Sequence, residues 1–267
     1  MRIGFIGAGN MGGIIVDTIL KHHIENPKNL MVSRLHPERR PEWAAAGVTV
    51  LSDNLRVAED CDCVFLAVKP QFATTVLAPL QEALEEKLVV SIMAGWHFDR
   101  LQSALSECTR VLCIMPNTPL QVGEGMTLFS TKTSATPQEL DCVKHIFSAS
   151  GQVIELDETM FTAANAISGC GPAYAYLFME ALADGAVEHG VPRTTAYALA
   201  AQMLIGAGKM LQSSGKHPGM LKDAVCSPGG TTIAGIHALE TGRFRASIIE
   251  CVGAVVARDR EIKSNHQ

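Results

Sequence analysis

The stretch Ile3-Gly4-Phe5-Ile6-Gly7-Ala8-Gly9-Asn10-Met11-Gly12 decides how the rest of the chain is read. An apolar run, Ile3 to Ile6, ends in a Gly-x-Gly-x-x-Gly pattern, and helix-compatible sequence follows from about Met11 to Lys21. By itself such a pattern marks only a turn. Between a strand and a helix it becomes a phosphate cradle. Gly7 permits the tight turn, Gly9 lets a pyrophosphate approach the backbone, and the helix N-terminus offers orphan N–H groups and partial positive charge. Gly7, Ala8, Gly9, Asn10, Met11 and Gly12 are therefore predicted to hold a dinucleotide.

Outward from this loop, short β-branched runs alternate with helical patterns: Ile3–Ile6, Met31–Ser33, Val48–Leu51, Val64–Val68, Leu88–Met93, Val111–Met115, Thr127–Phe129 and Val153–Leu156. Continuous apolar strands separated by helices predict a parallel sheet covered on both faces. Thr136-Pro137-Gln138-Glu139 is a helix start in which Thr caps, Pro takes the first helical position and Glu reaches back; its helix runs to about Ser150. Beyond Leu156 the strand signal stops, and Ala-, Leu- and Met-rich helices follow, broken at 169–171, 190–192, 215–218, 227–230 and 241–242. The predicted architecture is α/β: an N-terminal Rossmann-type doubly wound sheet over 1–156, binding the dinucleotide, then an all-helical dimerisation domain over 157–267. From Arg193 to Leu211 apolar side chains occupy nearly every helix face, and such a helix must be covered on all sides. So short a helical segment cannot cover itself, which predicts a homodimer.

The end of the second strand distinguishes NAD from NADP, because a carboxylate there pairs with a ribose 2′-OH and repels a 2′-phosphate. The sequence has no acid at this point but Ser33-Arg34-Leu35-His36, with Arg39 and Arg40 a turn later. Ser33 and Arg34 thus favour NADPH over NADH, the competing reading being a solvated basic helix start. Further loops fall at strand carboxyl ends and are predicted to line the nicotinamide pocket: Ala67-Val68-Lys69-Pro70, Ala94-Gly95 and Met115-Pro116-Asn117-Thr118-Pro119. Lys69 reads as a cofactor contact or a solvated residue in preference to a catalytic acid. Asn54 either contacts the adenosine half or caps the following helix.

Composition narrows the remaining classes. Apolar residues make up 47% of the 267, charged residues 18% and aromatics 5%, which predicts an aliphatic, alanine-rich core. A net charge of −5, with no basic run longer than Arg39-Arg40, leaves no footprint for nucleic acid or an anionic membrane, so small molecules are the expected partners. The eight cysteines form no Cys-x-x-Cys pair and fit free thiols in a reducing cytoplasm. No HExxH motif or His/Cys ligand spacing occurs, and no metal is expected. The first strand begins almost at the initiator, unlike a signal peptide. The most apolar stretch, Phe161 to Val187, is interrupted by Asn165, Ser168, Pro172, Glu180 and Asp184, so it reads as buried helix and not as a membrane span.

In the helical part, Ser227-Pro228-Gly229-Gly230-Thr231-Thr232 is a small-residue turn running into a helix over 231–240. Such a turn offers consecutive N–H groups and hydroxyls to an anion, for which a carboxylate is suited, or is simply a helix cap. Here the chain resembles the pyrroline-5-carboxylate reductase family over nearly its full length. The likeness runs through Gly4–Met11, Ala67–Pro70, Met115–Pro119, Ile167-Ser168-Gly169-Cys170-Gly171-Pro172-Ala173-Tyr174 and Ser227–Thr232. The last two motifs are the specific ones, since many dehydrogenases share the first. One departure is visible: Cys170 stands where the family usually has Ser or a similar small residue.

The resemblance implies reduction of Δ1-pyrroline-5-carboxylate to L-proline by hydride from NAD(P)H, the last step of proline biosynthesis. Ser227, Gly230, Thr231 and Thr232 would then bind the carboxylate, Thr232 also reaching the ring nitrogen, with its hydroxyl or a water as proton donor. The resemblance further implies an active site where one chain's helical domain meets another's sheet edge, and dimers that often assemble into larger rings. The chemistry suits the residues: a protonated C=N is electrophilic, so fixing the carboxylate and pressing the ring against the nicotinamide are the main tasks. The alternatives are another imine or hydroxyacid reductase and a non-catalytic NADP-binding sensor. The absence of a lysine from Phe161 to Gly171 speaks against a β-hydroxyacid enzyme.

Overall fold

The protein's structure, a computed structural model, describes residues 1–264. Its strands are β1 (Ile3–Ile6), β2 (Leu30–Ser33), β3 (Thr49–Leu51), β4 (Cys63–Leu66), β5 (Leu88–Ser91), β6 (Arg110–Met115), β7 (Gly125–Ser130) and β8 (Gly151–Leu156). They form one sheet in the order β3-β2-β1-β4-β5-β6-β7-β8. The first six pair in parallel, Phe5 lying between Val32 and Phe65. The expectation of a parallel sheet needs one correction: β7 runs antiparallel to β6, with Ile114 opposite Phe129 and Met115 opposite Leu128. The connection 116–124 explains it, being shorter than the dozen or so residues a parallel crossover requires. The β7–β8 connection carries a helix, and that pair is parallel again.

Helices α1 (Asn10–Lys21), α2 (Pro41–Ala46), α3 (Asn54–Asp60), α4 (Ala73–Leu77), α5 (Phe98–Ser103) and α6 (Pro137–Ser148) alternate with the strands. Successive strand residues point to opposite faces, and two cores result. Phe5, Val32, Phe65 and Val90 pack with Ile15, Ile19, Trp43 and Phe147 on one face. Ile6, Val64, Leu66 and Val89 pack with Val57, Leu77, Leu80 and Leu84 on the other. Phe5 and Phe65 stack with ring centroids 4.8 Å apart, and burial of each such side chain stabilises by about 1.5–3 kcal/mol. The capping box at Thr136 is formed as the sequence predicts: Thr136 accepts from Glu139 N, and the Glu139 carboxylate accepts from Thr136 N at 2.9 Å.

The remaining helices are α7 (Phe161–Ser168), α8 (Gly171–Glu188), α9 (Arg193–Ser214), α10 (Pro218–Ala224), α11 (Thr231–Thr241) and α12 (Phe244–Ser264). By contacts the chain divides into two compact units, Met1–Gly169 with the described residues from Asp259 to Ser264, and Cys170–Arg258. The composition break at 156–157 falls at the end of β8, while the first unit continues through α7. Residues 265–267 of the predicted helical domain lie outside the described residues.

Burial of the apolar stretch 161–187 is not met within the chain. Of α7 and α8 only Phe161, Ala166 and Ala183 are buried, and of α9 only Ala196 and Ala200. The principal contact of α8 is α9, and one neighbour covers one face of a helix, not all of them. Among the described residues no helix is long and apolar enough to cross a membrane.

Replacement of Thr136 by Ala removes the cap, and urea unfolding should show a loss of about 1 kcal/mol. Burial alone would raise the Glu139 carboxyl, but bonds from Arg110 and Thr136 outweigh it and hold the group below its ordinary value. Its contribution is therefore present at neutral pH and lost as the pH falls through that lowered value. Stability of the Glu139→Gln protein, followed from pH 7 to pH 3, should fall less steeply than that of the unmodified chain.

Candidate active site

The strand order reverses at β1, which has β2 on one side and β4 on the other. At such a switch point the loops after neighbouring strands diverge to opposite faces and leave a crevice at their carboxyl ends. The loop after β1 lies against the loop after β4 so closely that a Cβ on Gly7 would run into the Val68 side chain, and Gly7 has φ of 85°. A Cβ on Gly12 would come within 2.8 Å of the Ala67 Cβ. A Cβ on Gly9, by contrast, would meet nothing nearer than the Gly7 carbonyl at 3.9 Å, so that side of the loop is open. Gly9 is the N-cap of α1, no side chain caps the helix, and its first turn holds no acid. Ala8 and Gly12 are buried, while Gly9 and Asn10 are exposed and Met11 half-buried.

Beside it, the end of β2 is more engaged than the sequence alone suggests. Ser33 is buried, and its hydroxyl donates to the Asn54 side-chain oxygen at 2.5 Å. The reading of Asn54 as a helix cap is corrected: Asp53 caps α3, accepting from Leu55 N and Arg56 N at 2.9 and 3.3 Å, and Asn54 is the first helical residue. Arg40 donates to both oxygens of Asp17 at 2.6 and 2.7 Å and is also paired with Glu42. Arg34 forms no ion pair among the described residues, and its Nη1 is buried without a hydrogen-bond partner. The basic cluster thus separates into one arginine taken up by acids and one with a donor in reserve.

The loops after β4 and β5 are tied by a residue that no motif pointed to. Trp96 is buried, its indole N–H donates to the Pro70 carbonyl at 3.3 Å, and Arg100 lies over its ring at 4.5 Å. Lys69 and Ala94 are exposed, and Gly95 has φ of 76°. In the motif 115–119, Asn117 is buried: its oxygen accepts from Met126 N at 2.9 Å, and its amide donates to the Ser168 carbonyl at 2.8 Å. Trp43, Trp96 and Asn117 were missed as individual residues. The available signal was rarity, the two tryptophans being the only ones in the chain. Burial pushes the Cys61 thiol up to about 11 and raises Cys63 and Cys113 further, which keeps these sulfurs unreactive. Among the described residues no group of three or more His, Cys, Asp or Glu is placed to hold a metal ion.

Within the second unit the turn at 227–232 is built like the first loop. Gly229 has φ of 68°, Gly230 N donates to the Ser227 carbonyl at 3.0 Å, and a Cβ on Gly230 would meet the Ser227 hydroxyl. Gly230 is the N-cap of α11 and no side chain caps that helix, so the hydroxyls here are not used as caps. Ser227, Thr231 and Thr232 are exposed. Both loops therefore present first-turn N–H groups with no side chain across them, an arrangement that receives anions.

Comparison with known proteins bears on both parts of the chain. Residues 158–262 match the family model described as pyrroline-5-carboxylate reductase dimerisation, and residues 2–95 match that of NADP oxidoreductase, coenzyme F420-dependent. The pyrroline-5-carboxylate reductase of Arabidopsis thaliana is 41% identical over 99% of this chain and 96% of its own. That of Methanosarcina acetivorans is 41% identical over 98% and 97%. This chain belongs to the pyrroline-5-carboxylate reductase family. Among solved structures, the Plasmodium falciparum pyrroline carboxylate reductase with NADP bound superposes with a TM-score of 0.90 at 31% identity, covering 98% of each chain. An imine reductase of Streptomyces aurantiacus, 14% identical with a TM-score of 0.57 over 98% of this chain and 94% of its own, shares the fold alone.

In this pyrroline-5-carboxylate reductase family member, Asn117 connects the β6 motif to β7 and to the end of α7. Replacing Asn117 by Ala orphans the Met126 N–H and the Ser168 carbonyl, and denaturant titration should show a loss of about 1–3 kcal/mol for each group left buried and unpaired.

Proposed function

We propose that the chain reduces 1-pyrroline-5-carboxylate to L-proline by hydride transfer from NADPH, the last step of proline biosynthesis. The observation that carries the proposal is 41% identity with pyrroline-5-carboxylate reductases along essentially the whole of both chains. The residues fit the cofactor: the tight Gly7–Val68 approach, the open side of Gly9 and the unpartnered Arg34 Nη1 are what a pyrophosphate and a 2′-phosphate require.

On this reading the backbone of Gly7, Ala8, Gly9, Asn10, Met11 and Gly12, at the positive end of α1, takes the pyrophosphate. Arg34 takes the 2′-phosphate, and Ser33 with Asn54 faces the adenosine ribose. Ala67, Val68, Lys69, Pro70, Ala94 and Gly95 line the nicotinamide half, with Lys69 as a contact and not an acid. Bound NADPH supplies the hydride. The N–H groups of the 227–232 turn, with Ser227, Gly230 and Thr231, fix the substrate carboxylate, and the Thr232 hydroxyl stands at the ring nitrogen. Thr232 or a water delivers the proton to that nitrogen; the C=N carbon receives the hydride, and the C=N π bond becomes the N–H bond of proline.

A division at 156–157 into a cofactor domain and a helical domain goes with this proposal, as does a homodimer formed through the helical part. Its support is the exposure of Tyr176, Leu177, Leu199 and Ile249 at 62%, 67%, 60% and 72%, in the segment that matches the dimerisation model. A cytoplasmic location also goes with it: all eight cysteines are free, as thiols are in a reducing compartment.

NADPH oxidation followed at 340 nm should proceed with pyrroline-5-carboxylate and not with hydroxyacid or unrelated imine competitors; absence of turnover with pyrroline-5-carboxylate sinks the assignment. In the same assay Thr232→Ala should lower kcat/KM by about tenfold to a thousandfold, and an unchanged value removes Thr232 from the mechanism. Sedimentation velocity should report a dimer or a multiple of it, and a monomer at micromolar concentration overturns the assembly.

A further inference from the structure

The corner after β2 contains a tryptophan that does more than fill the core. Trp43 of α2 is fully buried, the largest of the fully buried side chains. Core filling does not account for its polar contacts. The indole N–H donates to Asp17 Oδ1 at 2.7 Å, the Arg40 guanidinium lies 4.1 Å from the ring centroid, and that of Arg34 lies 5.5 Å from it. Two guanidinium groups on one indole repel each other unless one is neutralised. Asp17 and Glu42 do this for Arg40.

We propose that Trp43 is a positioning residue for cofactor choice: it holds Arg34 on its ring so that the unpartnered Nη1 is set for a 2′-phosphate. The inference rests on the NADPH reading above. A free arginine disperses over many rotamers, and the entropy of fixing it is charged against binding. A planar guanidinium resting on an indole has that cost met in advance, which an ammonium cannot match. Arg40, spent on two carboxylates, cannot serve in its place. The arrangement also works against NADH: with a hydroxyl in place of the phosphate, the buried Nη1 of Arg34 stays without an acceptor. Asp17 fixes the ring from α1, the helix that begins at the pyrophosphate loop, so the two phosphate contacts share one support.

The test is calorimetric binding of NADP+, NAD+, 2′,5′-ADP and 5′-ADP to the intact protein and to Trp43→Leu, Arg34→Lys and the double variant. Trp43→Leu should weaken NADP+ and 2′,5′-ADP by about two- to thirtyfold, the range of a cation–π contact, and the two unphosphorylated ligands less than twofold. Arg34→Lys, which keeps the charge and loses the stacking, should show a loss of the same order, and the double variant should lose no more than Arg34→Lys alone. Equal weakening of all four ligands by Trp43→Leu makes Trp43 merely structural and overturns the inference. Should Trp43→Leu fail to fold, Arg34→Lys decides: full retention of NADP+ affinity means that charge suffices without the ring. An unmodified protein with equal affinity for NADP+ and NAD+ refutes the cofactor reading itself, an outcome distinct from either of these.

Discussion

Close approach of two backbone loops is the constraint on which the cofactor side of this structure depends. The loop after β1 and the loop after β4 stand at adjacent strand ends, and only glycine at positions 7 and 12 lets them come together. That approach aims the N-terminus of α1 into the crevice at the switch point, where its uncapped N–H groups face outward. Everything further along the sheet edge is placed relative to it: Arg34 and Asn54 on one side, the Trp96-braced loops of β4 and β5 on the other.

On the proposed reading, anion recognition in this protein is drawn mainly from backbone and sparingly from charge. Both glycine turns offer uncapped helix starts, and the chain as a whole is acidic at −5. Where cations do gather, after β2, the structure divides their tasks, tying Arg40 to Asp17 and Glu42 and leaving Arg34 with a donor unused. A fixed dipole and one oriented guanidinium cost little reorganisation when an anion arrives, whereas mobile lysines must first be ordered.

The second unit has the opposite problem, since its helices carry more apolar surface than they cover. Only Ala196 and Ala200 of α9 are buried, although apolar residues run around the whole helix. Exposed apolar side chains such as Tyr176, Leu177, Leu199 and Ile249 leave surface that an association would cover. On the proposed reading a second copy supplies the cover, which makes assembly a requirement for the helical part and not an addition to it.

By itself the sequence determined the features that follow from local periodicity and local chemistry. These are the alternation of strands and helices, the glycine turn at 7–12, the capping box at Thr136, the missing acid after the second strand and the change to helices after Leu156. Each is a short-range property, since hydrophobic period, turn conformation and capping involve residues a few positions apart. Only the tertiary structure decided the reversal of β7, the use of Asp53 rather than Asn54 as a cap, the commitment of the Ser33 hydroxyl to Asn54, and the division of labour between Arg34 and Arg40. Ser33 with Asn54 and Arg40 with Asp17 are joined across 21 and 23 positions, β7 meets β6 across 13 and 15, and the cap goes to one of two adjacent eligible side chains. A linear pattern does not encode which of several eligible groups wins; packing and geometry do.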